Sequence, residues 1–254
     1  MLLACASFTQ EPPQAGVDAE ASIAPEASLE NDAGREAGPD GGRFCASHAD
    51  AAICTDFDGV GDVFAGWVRS SGQGADLTLD TATFLSSPRS LKARVAGIGG
   101  ATARLSLEVP KKSSRMRLSF DARLEEPKLE LARELGIAEI LCAGNPMGSY
   151  DGAWLHWRNQ PGPTGTALGM VISGTFTPLV GIPLGNWVRV ELDAHWGSLS
   201  HVLVRLDGVQ IADLPLSSSC AASNSASVNI GASVDNGEHD GGTSFDNVVV
   251  DVEP

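Results

Sequence analysis

Apolar and polar residues alternate along most of the chain from residue 43 onward. The clearest run is Arg115 to Glu125, where Met116, Leu118, Phe120, Ala122 and Leu124 share one face and Arg115, Arg117, Ser119, Asp121 and Arg123 share the other. Period two over such a length predicts a half-buried strand. Val188, Val190, Leu192 and Ala194 repeat the device, with Arg189, Glu191, Asp193 and His195 outward. Val202, Val204 and Leu206 do so again before Asp207-Gly208, a good hairpin turn leading into Val209-Gln210-Ile211. Shorter strands are expected at Thr55–Asp58, Trp67–Arg69, Leu77–Leu79, Leu91–Val95, Ala103–Leu107, Val228–Ile230 and Phe245–Val250, punctuated by Gly, Ser or Pro. Lys128 to Glu139 has helical spacing, and the pattern leaves a helical turn or a strand with a charged outer face equally open. About a dozen strands with turns this close predict an all-β, two-sheet antiparallel sandwich.

The alternation is missing from the start of the chain. Residues 6–42 are an Ala/Pro/Gly/Glu stretch with almost no large apolar side chains. Such a segment buries too little surface to offset the entropy of ordering. As a coil it would reach on the order of 35 Å. The expected organisation is therefore 1–5, a segment of its own; 6–42, a disordered acidic linker; and 43–254, one β domain with a sizeable core.

The net charge is −15, of which residues 1–42 carry −7 from eight acids against Arg35. A chain this acidic repels phosphate backbones, so nucleic acid is not an expected partner. There are five cysteines: Cys5, Cys45, Cys54, Cys142 and Cys220. Cys5 stands apart, and the other four allow three pairings. Cys45–Cys54 with Cys142–Cys220 is favoured because local closure is entropically easiest. That reading assumes an exported protein.

Two resemblances bear on address and fold. Leu2-Leu3-Ala4-Cys5 resembles the end of a bacterial lipoprotein signal, without the positively charged and full apolar regions that precede the cysteine in that signal. It implies lipidation at Cys5, membrane attachment only through that lipid, and a cell-envelope location at the outer membrane or surface; secretion is the alternative. The domain resembles the concanavalin A-like lectin/glucanase jelly rolls of laminin-G-like kind. The residues that carry this are Cys54-Thr55-Asp56-Phe57-Asp58 with Trp67, Ser86 to Leu91, Asn186 to Leu192, Val204 to Gly208, Ile230-Gly231, and Phe245 to Val250. The resemblance implies two stacked antiparallel sheets with adjacent chain ends, and carbohydrate as a common ligand. It also implies a structural calcium at Asp246, with Asp56 or Asp58 close by, since hard oxygen donors suit that ion. The competing reading is an Asp246 that binds backbone amides.

Catalytic signatures are sparse. Hydrolases of this fold carry Glu-x-Asp-x-Glu on one strand. The nearest run, Glu191-Leu192-Asp193-Ala194-His195, lacks the second glutamate, so Glu191 and Asp193 read as outward charges facing Arg117 or Arg123. Lyases of the fold need grouped Arg, His, Gln and Tyr; the chain has one tyrosine, Tyr150, and no Gln-x-His pair. No catalytic residue is therefore assigned. A ligand platform is expected at Tyr150, Trp154, His156, Arg158 and Asn159, with Trp196 nearby. In a strand, Trp154, His156 and Arg158 share a face while Leu155 and Trp157 point into the core. Trp67 and Trp187 are expected to fill the core. The leading functional expectation is a monomeric, surface-anchored, non-catalytic module that binds carbohydrate or another envelope polymer. The alternatives are a glycoside hydrolase or polysaccharide lyase of the same fold, and a structural or adhesive envelope protein.

Overall fold

A computed structural model of the chain describes residues 43–59, 61–98, 100–110, 114–125, 134–143, 151–159, 166–197, 199–216, 225–234 and 238–253. One short helix, α1 (Arg43–Ala46), precedes the strands. These are β1 (Ile53–Thr55), β2 (Val68–Ser71), β3 (Ala75–Asp80), β4 (Ser90–Ile98), β5 (Ala101–Pro110), β6 (Arg115–Leu124), β7 (Leu135–Ala143), β8 (Asp151–Asn159), β9 (Thr166–Ile172), β10 (Thr175–Val180), β11 (Trp187–His195), β12 (His201–Leu206), β13 (Val209–Pro215), β14 (Ser225–Val234) and β15 (Glu238–Glu253).

The strands form two antiparallel sheets. Sheet A runs β13-β12-β11-β6-β15-β4-β3, with β1 added to β15, and sheet B runs β10-β9-β8-β7-β14-β5-β2. The all-β sandwich expected from the sequence is what forms. Its core lies between the sheets, where each alternating strand buries one face. Met116, Leu118, Phe120, Ala122 and Leu124 of β6 are all buried, as are Val188, Val190, Leu192 and Ala194 of β11. Phe120 and Phe245 meet at 5.6 Å between ring centroids with a 59° tilt, the tilted packing that aromatic quadrupoles favour. Burying each such ring contributes roughly 1.5–3 kcal/mol. Asp207 and Gly208 both take positive φ (48° and 79°), the hairpin turn that this dipeptide predicts.

Three sequence expectations are resolved in detail. The ambiguous segment before Glu139 is strand β7 from Leu135 onward, and its residues 128–133 lie outside the described residues. Trp67 is buried, its Nε1 donating to Thr55 Oγ1 at 3.1 Å. Trp187 is only half-buried, because Val188 takes the inward position and leaves its neighbour on the outer face opposite Arg123.

The Cys45–Cys54 disulfide is present and ties α1 to β1. Cys142 is also disulfide-bonded. Its expected partner Cys220 and the expected lipid acceptor Cys5 both lie outside the described residues.

Candidate functional site

The outer face of sheet B gathers the polar residues that the core does not use. On β8, Trp154, His156 and Arg158 point outward and are half-buried, while Leu155 and Trp157 are buried in the core. This is the division that alternation predicts. Of the other expected platform residues, Tyr150 lies outside the described residues and Asn159 ends β8. Trp196 follows β11 in sheet A, so it is on the other sheet and does not join Trp154.

Cross-strand register assembles the rest. Asn229 on β14 pairs with Ser106 on β5 and Glu139 on β7; Glu139 in turn pairs with Trp154. A second row runs Ser233, Gly136, His156 and Gly169 across β14, β7, β8 and β9. The register shifts between Gly136 and Ala138 and between Ile230 and Ser233, two bulges side by side. Bulges bend a sheet and re-aim its side chains. Beside them lies a shallow depression lined by Arg104, Gly136, Glu139, Asn229, Gly231 and Ser233, with adjoining core residues. Gly136 keeps its floor clear: a Cβ there would sit 2.4 Å from Ser233 Oγ and 3.4 Å from His156 Nε2. His156 Nε2 therefore lies close to Gly136, one of the lining residues.

The charges around it form two groups. Glu139 accepts a 2.9 Å hydrogen bond from Asn229 Nδ2 and lies 3.6 Å from Arg104 Nη1. Arg104 Nε is buried with no hydrogen-bond partner. A guanidinium has five N–H donors; the Arg104 side chain is 40% exposed, so those other than Nε–H can meet solvent. In the second group, Glu134 Oε1 is 2.8 Å from His156 Nδ1, and its Oε2 accepts from Arg158 Nη2 at 2.8 Å. The Arg158 guanidinium carbon rests 3.8 Å from the centre of the Phe176 ring, within cation–π range. Sequence reading missed Arg104, Glu134, Glu139, Asn229 and Ser233. The usable signals were the polar even positions of β5 and a lone asparagine between Val228 and Ile230.

The outer face of sheet A is a lattice of ion pairs. Asp193, with no exposed side-chain surface, receives Arg115 at 2.7 Å through both Nε and Nη2, and lies 3.1 Å from His195 Nε2 and 3.4 Å from Arg205 Nη1. Burial alone would raise its pKa; the Arg115 hydrogen bonds, the His195 charge and Arg205 together hold it down at about 2. Arg115 is raised in turn, chiefly by the Asp193 hydrogen bonds. Glu191 pairs with Arg205 and lies 3.8 Å from Arg117. Arg117 is thus the expected partner of Glu191, while Arg123 donates to the Gly185 carbonyl at 2.6 Å instead. Asp121, raised by burial, is held by Arg189 at 3.1 Å and Asn247 Nδ2 at 2.9 Å. Glu191 and Asp193 are occupied by arginines, so this strand offers no free carboxylate pair for glycoside hydrolysis.

The three aspartates expected at a calcium site lie around the 83–89 loop. Asp246 Oδ2 accepts from the Leu85 and Ser86 amides at 3.0 and 2.9 Å, and Oδ1 accepts from Ser86 Oγ at 2.8 Å and the Asn247 amide at 2.9 Å. Burial pushes its pKa up to about 7. Asp58 Oδ1 accepts from the Arg89 amide at 2.9 Å and Asp56 Oδ1 from the Asp58 amide at 3.2 Å. Asp58, also raised by burial, keeps Oδ2 buried without a hydrogen-bond partner. With donors on both oxygens Asp246 fits poorly as a metal ligand. Among the described residues no three metal-ligating side chains converge.

Fold and face together define the class: a two-sheet antiparallel β-sandwich of jelly-roll type, with a shallow depression on the outer face of one sheet. No protein-family model matches the chain, and no curated protein matches it. Solved structures do. It is similar to an endo-beta-1,4-glucuronan lyase from the fungus Trichoderma reesei (TM-score 0.60, 14% identity, covering 79% of this chain and 95% of that one). It is also similar to the cellulose induced protein Cip1 (0.55, 15%, 78% and 96%). A third is the alginate lyase Aly36B in complex with an alginate trisaccharide (0.51, 10%, 75% and 96%). At such identities the likeness is one of fold.

Proposed function

We propose that the depression on sheet B binds a uronic-acid-containing polysaccharide and that the chain is a polysaccharide lyase. The observation that carries this reading is His156 on the outer face of sheet B, paired with Gly136 at the edge of a depression that Arg104 also lines. Cleavage of such a polymer by β-elimination needs two things. A cation must neutralise the uronate carboxylate so that the adjacent C5–H becomes acidic, and a base must take that proton. Arg104 supplies the first and His156 Nε2 the second. The C5–H electron pair becomes the C4–C5 double bond, the C4–O4 bond breaks, and O4 leaves with a proton returned from the imidazolium or from water. Trp154, beside this row, gives a sugar ring a flat apolar surface. The structural likeness to glucuronan and alginate lyases supports this over a non-catalytic module. The lipid anchor expected at Cys5 would hold the lyase at the cell envelope.

The test is a panel of polyuronates, glucuronan and alginate among them, incubated with the chain and followed by the ultraviolet absorbance of the unsaturated product. Product is expected with at least one polymer, and His156→Ala should lower the rate by roughly 10²–10⁴-fold. Polymer binding without product would reinstate the non-catalytic module; an unchanged rate in His156→Ala would remove the assigned base.

A further inference from the structure

We infer that Glu134 is the positioning residue for His156, and that Arg158, braced on Phe176, fixes Glu134 in place. The inference rests on His156 being the base proposed above, but its geometry stands independently. Glu134 sits immediately before β7 and reaches His156 on β8. One carboxylate oxygen meets His156 Nδ1 and the other meets Arg158 Nη2, both at 2.8 Å. A carboxylate so engaged cannot rotate without losing one contact. Arg158 is fixed in turn, because its guanidinium carbon lies over the Phe176 ring, 3.8 Å from its centre. Phe176 reaches that position from the edge strand β10 because residue 169 is glycine: a Cβ there would fall 2.3 Å from the ring. A chain of contacts therefore runs from Gly169 through Phe176, Arg158 and Glu134 to one nitrogen of one imidazole.

The consequence is chemical. A neutral imidazole carries one N–H and one lone pair, and the partner of one nitrogen decides the state of the other. The Glu134 carboxylate lies 2.8 Å from Nδ1 as a charge contact rather than an aligned hydrogen bond, and so favours a proton on this ring. The same carboxylate stabilises the imidazolium once Nε2 has taken a proton, the orienting role that a buried carboxylate plays behind a catalytic histidine. Other groups also act on this ring. Glu139 on β7 adds negative charge; Arg104 on β5 and Arg158 on β8 itself add positive charge. Ser233 on β14 is neutral, and the facing β9 residues Gly169 and Val171 carry no charge. Glu134 is the acid in direct contact with the ring, at 2.8 Å.

The experiment is a proton NMR titration of the histidine ring resonances in the full-length chain, with the His156 signal assigned by its loss in His156→Ala. Glu134→Gln should lower the pH at which His156 titrates by about one unit or more, the effect of deleting an opposite charge within 4 Å. Glu134→Asp should restore part of the shift. In the elimination assay, Glu134→Gln should move the acidic limb of kcat/KM downward by the same interval. It should also lower kcat about tenfold with KM little changed. A His156 that titrates at the same pH in wild type and Glu134→Gln overturns the inference, whatever the activity. A chain with no elimination activity but the expected NMR shift upholds the pairing and removes the lyase reading instead.

Discussion

Asp246 makes a sharp prediction about how stability varies with pH. Replacing it with asparagine swaps one acceptor oxygen for an NH2 group. Each Asp246 oxygen accepts two hydrogen bonds, from the Leu85 and Ser86 amides on one side and from Ser86 Oγ and the Asn247 amide on the other. The least costly orientation keeps the oxygen on the Leu85 and Ser86 amides and lets Ser86 Oγ turn to accept. The Asn247 amide is then left facing a donor. One orphaned buried donor costs about 1–3 kcal/mol. The pH dependence is separate. Burial raises the native pKa to about 7 from an ordinary 3.8. The folded protein therefore holds a proton that the unfolded chain has released between these values. Stability from this group is fully present below pH 3.8 and is lost as the pH rises to about 7. The whole interval is worth about 4 kcal/mol at 1.36 kcal/mol per pH unit, with about 3 kcal/mol of it between pH 4.5 and 8. The asparagine side chain does not titrate. Urea denaturation of both proteins at pH 4.5 and pH 8 should show a penalty for Asp246→Asn that is larger at pH 4.5, by about 3 kcal/mol on this linkage. A penalty that is equal at the two pH values, or that grows toward pH 8, would mean that the four donors outweigh burial and hold the carboxylate ionised; the reasoning would then fail.

Two other substitutions each probe a single contact. Cys45→Ser opens a loop of sequence separation 9 that pins α1 to β1, and should lower stability by about 2–3 kcal/mol on the loop-entropy estimate; a denaturation midpoint unchanged from wild type, with the oxidised state confirmed, would contradict it. Trp154→Ala removes a half-buried ring from the outer face of sheet B, so calorimetry should show polyuronate binding weakened about tenfold, or about 1.4 kcal/mol, with the melting temperature little changed; equal affinity would remove Trp154 from the platform.

Much of this architecture was legible because a strand's faces are written in its own residues. Leu155 and Trp157 inward, Trp154, His156 and Arg158 outward, needed no knowledge of neighbours. The same rule was available for Trp187. Val188, Val190 and Leu192 fix the inward parity of β11, so the tryptophan before them faces out, although its size alone suggests the core. Partner choice was harder. Arg117 lies near Glu191, but Asp193 went to Arg115 and Arg205, because which strands flank β11, and in what register, is not encoded in β11 itself. Asp246 was open to two readings, a metal ligand or an acceptor of backbone amides; it accepts two amides and a hydroxyl of a loop far away in sequence, partners that its own strand does not encode.

The depression lies where alternation breaks down. In β7, Leu135, Ile137, Ala138 and Ile140 are all buried, so two adjacent residues face the same way. A regular strand cannot do this, since a one-residue slip moves every side chain to the opposite face. The bulge between Gly136 and Ala138 absorbs the slip, and it allows both Gly136 and Glu139 to lie on the outer face despite their odd spacing. Without it, either the core would lose part of its Leu135–Ile140 apolar set or Glu139 would point into the core, away from Arg104 and Asn229. The matching shift in β14 keeps Asn229 opposite Glu139 while bringing Ser233 opposite Gly136. The site therefore depends on two irregularities placed in register across a strand pair that is distant in sequence. Read alone, the adjacent apolar pair Ile137-Ala138 beside a glycine suggests only an ambiguous helix or strand; once paired, it marks where Glu139 meets Asn229 and Gly136 meets His156.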